Sequence, residues 1–178
     1  MVTSSFLVIG AAFLTAVSTA QASSADLAAE LVRLMNERKV TAMSAPDASE
    51  NGRFVAAMLA GPQLLVIRAR YPVPAVLRER VLKGEHQQVY GDLHSAGDRD
   101  GRVFIIDSGA DGLKLSRDSS DVGWRNAATQ AIFNLDWKTQ KLKEAEYRQT
   151  FQDDEQAYAE MLNTLIGAMK SATTAISQ

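Results

Sequence analysis

Leu64-Leu65-Val66-Ile67 places apolar side chains at four consecutive positions. Successive side chains of a strand point to opposite faces, so this run requires a sheet that is covered on both sides. Gly61-Pro62 separates the strand-like run at 63–71 from another at 53–60, and the two read as a hairpin. Tyr71-Pro72-Val73-Pro74 ends the pairing, because neither proline has an N–H for a ladder. A chain built around such a strand needs a layered fold.

The flanking segments supply the layers. Residues 25–39 read as an amphipathic helix, with Leu27, Leu31, Leu34 and Met35 on one stripe, Glu30, Arg33, Glu37 and Arg38 largely opposite, and Ser24 as its cap. Residues 40–43 predict a short strand and 44–52 (SAPDASENG) a loop. Pro74 suits the start of a short helix through Lys83, stopped by Gly84. Residues 87–94 and 102–107 read as a second hairpin across the turn 95–101. Residues 109–123 are polar and glycine-bearing, a loop expected to be mobile. In 124–135 alanines favour helix and Ile132-Phe133 favours strand, which we assign to the second half. From Thr139 to about Ser171 the pattern is helical, with Leu142, Tyr147, Phe151, Tyr158, Leu162, Leu165 and Met169 on a drifting stripe, and Asp153-Asp154 suited to start a second helix. The expectation is an α+β domain: a mainly antiparallel five- to six-stranded sheet flanked by an N-terminal helix, a short middle helix and C-terminal helices. By analogy of order alone, roadblock/longin-type sandwiches and flavin-binding split barrels share this plan.

The first 22 residues carry no charge, and an apolar run at 6–17 precedes Ala20-Gln21-Ala22. Small residues at −3 and −1 before Ser23-Ser24 predict a signal peptide over 1–22, although its first five residues lack Lys and Arg. Cleavage would leave a single domain at 23–178, exported to the periplasm or secreted, with no stable membrane insertion. The chain has no cysteine, which excludes disulfides, thiolate metal sites and thiol nucleophiles. A domain of this size can be held by its core alone. The net charge of −2 supplies no long-range attraction for nucleic acid.

Few residues suggest chemistry. His86 and His94 are eight residues apart near the ends of one expected strand, about 26 Å, too far to share a metal. Asp98-Arg99-Asp100-Gly101 starts like a calcium loop but places Gly109 where the bidentate Glu is needed. No Gly-x-Ser-x-Gly, HExxH or phosphate loop occurs. Two sets are candidates for ligand binding. Tyr90 and Asp92 share a strand face, the expected hairpin brings Asp107 near Tyr90, and Asp111 follows in the next loop. Arg68 and Arg70 share parity at the end of an apolar strand and could offer guanidinium forks to an anion, with Lys138 and Lys141 as further cations.

Several words of the chain, Arg70-Tyr71-Pro72-Val73-Pro74, Val89-Tyr90-Gly91-Asp92-Leu93, Gly109-Ala110-Asp111-Gly112-Leu113 and Asp136-Trp137-Lys138-x-Gln140-Lys141-Leu142, resemble an uncharacterised family of small exported bacterial proteins. The resemblance spans most of 53–165. It implies export and carries no catalytic residue across. Lys143 stands where a Ser or Thr cap would be expected ahead of Glu144.

These readings favour an exported, non-enzymatic domain that binds a ligand or a protein and holds no cofactor. The alternative is a split-barrel redox protein with FMN or haem at the Arg68/Arg70 pair. A homodimer or another protein partner could use an exposed sheet edge.

Overall fold

The computed structural model describes residues 22–69, 83, 103–125, 132–133 and 143–176. Helix α1 (Ser24–Glu37) leads into β1 (Ala42–Pro46), β2 (Phe54–Ala60), β3 (Gln63–Ala69), β4 (Val103–Asp107), β5 (Val122–Arg125) and β6 (Ile132–Phe133), and α2 (Glu144–Ile176) follows. The strands form one open antiparallel meander in the order β1-β2-β3-β4-β5-β6. The α+β fold expected from the sequence is the one observed.

The run in β3 is buried on both faces, as its pattern requires. Leu64 and Val66 join Val55 and Ala57 of β2, Ile105 of β4 and the apolar stripes of both helices. Leu65 and Ile67 point the other way, with Met58, Phe104, Ile106 and Val122. Gly61 has φ +61° and precedes Pro62, whose ring holds a negative φ. That order suits a type II′ turn and sets the register Ala60↔Gln63.

Helix α2 touches all six strands and packs against α1. Its buried positions Tyr147, Thr150, Asp154, Ala157, Tyr158, Met161, Leu162, Leu165, Ile166 and Met169 keep three- and four-residue spacing throughout. The stripe has no break at Asp153-Asp154, so one 33-residue helix replaces the expected pair. At its start the backbone N–H of Lys143 donates to Glu146 Oε2 at 3.0 Å, the acidic half of a capping box without a Ser or Thr.

Other expectations shift. Ser23, not Ser24, caps α1, its Oγ accepting from the Asp26 N–H, while Ser24 is buried within the first turn. The first strand is 42–46 rather than 40–43. The ambiguous 124–135 region holds β6 in its second half, as assigned, and the end of β5 at its start. β4 pairs with β3 on one edge and β5 on the other, so the hairpin expected between 102–107 and 87–94 is not the pairing β4 makes. The physical reason is that β3 needs a buried neighbour on its second edge and the fully buried β4 fits it. Residues 87–94, and 74–83 apart from Lys83, lie outside the described residues.

Helix α1 ends without glycine. Lys39 sits at φ +55°, its N–H donating to Asn36 O, and the Val40 N–H donates to Met35 O, both at 3.0 Å. These two bonds form a Schellman motif whose left-handed position is occupied by a lysine. Because a side chain is strained there, Lys39→Gly should raise stability by about 0.5–1 kcal/mol, read as an upward shift of the urea midpoint.

Candidate functional site

Strands β3 and β4 each carry one charged side chain, Arg68 on β3 and Asp107 at the end of β4, and both are buried. Buried charge must be paired or hydrogen-bonded, and each residue organises its surroundings accordingly.

The Arg68 Nε donates to Asp47 Oδ2 at 2.6 Å and its Nη2 to Ser49 Oγ at 2.9 Å. Glu50 Oε1 lies 3.3 Å from Nη1 and Glu160 Oε2 lies 3.5 Å from Nη2. The guanidinium thus ties the β1–β2 loop and α2 to the interior sheet. Asp47 also accepts from the Ser49 N–H and hydroxyl. Burial alone would raise its pKa, but those two donors together with Arg68 outweigh it and hold the carboxyl below its ordinary value.

Asp107 is fully buried and accepts four hydrogen bonds. Oδ1 takes the N–H groups of Gly109 and Asp111 at 3.3 and 3.1 Å, and Oδ2 takes the Gly112 N–H at 2.7 Å and the Tyr158 hydroxyl at 3.0 Å. Gly112 has φ +91°, and a Cβ there would meet the Ala25 backbone at 2.9 Å, so this loop needs glycine at its contact with α1. Burial raises the Asp107 pKa in spite of its donors, with the nearby Asp121 carboxylate acting in the same direction. Burial likewise pushes the Tyr158 hydroxyl well up, followed by the charge of Asp107, so it stays a donor. Asp121 holds the other side of the loop, accepting from the Ser108 and Lys114 N–H groups and the Ser119 hydroxyl. The loop expected to be mobile is laced by these bonds to two buried carboxylates.

The candidate residues do not form one pocket among those described. Arg68 pairs with Val103 and Asp107 with Leu64, so the two lie four residues apart along the sheet, about 13 Å. Asp111 is exposed and ion-paired with Lys114 at 2.9 Å. The hairpin expected to bring Asp107 near Tyr90 is not the pairing that β4 makes, and Tyr90 itself lies outside the described residues. Arg70, Tyr90, Asp92, Lys138 and Lys141 lie outside the described residues.

Among the described residues, two openings reach the surface. A polar cleft of about 400 Å³ lies in the loop after β4, between Ser108, Lys114, Asp118 and Asp121. A largely apolar groove of about 540 Å³ runs between the end of β1 and α2, lined by Ala45, Pro46, Ala48, Ser49, Glu160, Asn163, Thr164, Gly167 and Ala168. Ser49 and Glu160 connect this groove directly to Arg68. Gly167 lies in the helix interior with nothing within 4 Å of where a Cβ would be. Among the described residues no group of His, Cys, Asp and Glu could hold a metal ion, and no helix is long and apolar enough to cross a membrane.

Sequence reasoning missed Asp47, Glu160, Tyr158 and Gly167. Asp47 sits in a run of turn residues and Tyr158 on an apolar stripe, and nothing local distinguishes either from its neighbours. Comparison with protein families, curated proteins and solved structures finds no match to this chain.

The two carboxylates predict opposite pH responses. Asp47, with its lowered pKa, stabilises the fold above the ordinary value of 3.8, and this contribution is lost as pH falls through the lowered value. Asp47→Asn should therefore cost about 3 kcal/mol near neutrality and progressively less in acid. Asp107, with its raised pKa, contributes fully below 3.8 and loses that contribution as pH rises through the raised value. The cost of Asp107→Asn should therefore grow as pH falls. Urea unfolding of both variants between pH 3 and pH 8 measures these trends.

Proposed function

We propose that the chain is an exported, non-enzymatic domain that holds a ligand or an extended protein segment in the groove between β1 and α2. The observation that carries this reading is Gly167. A glycine inside a helix costs about 1 kcal/mol relative to alanine, and none of the described residues crowds this position. A residue that weakens its own helix without a packing reason is accounted for by an occupant lying close to the helix backbone. The groove has the composition of a binding site: apolar walls from Ala45, Pro46 and Ala168, and polar points at Ser49, Glu160 and Asn163.

The two sequence-derived candidates on the interior strands are engaged within the fold. Arg68 is committed to carboxylates of its own chain, and Asp107 to three amides and a tyrosine. The uncharged apolar run at 6–17 followed by Ala20-Gln21-Ala22 supports the exported reading.

Gly167→Leu should raise the melting temperature, since leucine favours the helix by nearly 1 kcal/mol, while filling the groove. A photo-crosslinker placed at Asn163 in the producing cell should give a discrete adduct in the parent and much less in Gly167→Leu. Equal adduct in both, or none in either, rejects the groove. A stoichiometric flavin or haem band in the visible spectrum of the purified protein would favour the redox alternative instead.

A further inference from the structure

We infer that the groove between β1 and α2 takes a small organic cation, its ammonium group against Glu160 and its apolar chain running toward Gly167. The inference rests on the groove reading above and names the ligand class that this groove recognises.

The side-chain donors of the lining are turned into the protein. The Ser49 hydroxyl donates to Asp47 Oδ1 at 2.8 Å, and the Thr164 hydroxyl donates to the Glu160 carbonyl at 3.2 Å. A hydroxyl has one proton to give, so both offer the groove lone pairs only. Asn163 Nδ2 donates to the Ala159 carbonyl at 3.0 Å. Glu160, its side chain 40 % exposed, accepts from Gln156 Nε2 at 3.1 Å on Oε1 and faces Arg68 Nη2 at 3.5 Å on Oε2. An ionised carboxylate has about four lone-pair sites, so these two contacts leave it acceptor capacity. A head group with several N–H donors and no acceptor suits such a lining, and an ammonium group has that inventory.

The local charges agree. Glu160 is the most distant of three carboxylates around Arg68, behind Asp47 at 2.6 Å and Glu50 at 3.3 Å. Glu50 also pairs with Arg53 at 2.7 Å. Among the described residues this cluster therefore sets three carboxylates against two guanidinium groups, and Glu160 is the carboxylate that lines the groove. From Glu160 to Gly167 the helix rises about 10 Å, the reach of an ammonium group on a chain of about six carbons. Ala45, Pro46 and Ala168 supply apolar wall for that chain, and Gly167 lets it lie against the helix backbone.

Hexylammonium, hexanol and hexanoate share one chain and differ in the head group. Titrated into the purified protein, hexylammonium should shift the backbone amide resonances of 163–168 and bind about tenfold more tightly than hexanol, with hexanoate weaker still. Glu160→Gln should remove the preference for the ammonium and leave hexanol binding unchanged, and Gly167→Leu should remove both. Hexanol or hexanoate binding as tightly as hexylammonium overturns the cation and leaves the groove standing. Hexylammonium binding that survives Gly167→Leu, or no shift of these amides, also overturns it, and the Asn163 crosslink then decides the groove separately. Should Glu160→Gln unfold, the comparison of the three compounds on the parent decides.

Discussion

Burial of both faces of β3 and β4 is the constraint from which the other features follow. Leu64 through Ile67 and Val103 through Ile106 are nearly inaccessible to solvent, so any polar side chain on these strands must find its partners inside the protein. Two such side chains are charged and buried, Arg68 and Asp107, four residues apart along the sheet and on the face that meets α2. Arg68 draws in Asp47, Ser49, Glu50 and Glu160, and Asp107 draws in the loop after β4 and Tyr158. In both places the polar group ties a loop and the long helix to the sheet. Charges in the core here determine position as much as stability, because breaking one leaves its partner desolvated.

The groove proposed above lies where this internal bonding stops. The end of β1 and the C-terminal half of α2 enclose a groove with small residues on both walls, and Arg68 bonds to Ser49 and Glu160 of its lining. The β1 edge beside it is shortened as a template by Pro46.

Much of the architecture was legible because it is local. The stripe Leu27, Leu31, Leu34, Met35 announces α1, the Gly61-Pro62 turn announces the first hairpin, and the consecutive apolar run announces a sheet covered on both sides. The candidate site was legible only in part. Arg68 and Asp107 stood out as charges on apolar strands, but both were read as ligand-facing groups. Their partners are 21 and 51 residues away, and no spacing rule links Arg68 to Asp47 or Asp107 to Tyr158. The pairing of β4 was misread for a related reason: proximity in sequence favours a hairpin with 87–94, whereas burial demands that β4 sit between β3 and β5.

The sequence alone determined the class of fold, the amphipathic helices, the need for a two-sided core and the absence of covalent staples. These follow from side-chain periodicity and composition, which report how each residue meets water. The tertiary structure alone decided which strands are neighbours, that the C-terminal region is one helix across all six strands, and that two buried charges bind their own chain. Periodicity specifies that a face is buried, but not what buries it. That choice belongs to long-range packing, where several partners of similar apolarity compete and the few polar groups that must be satisfied select among them.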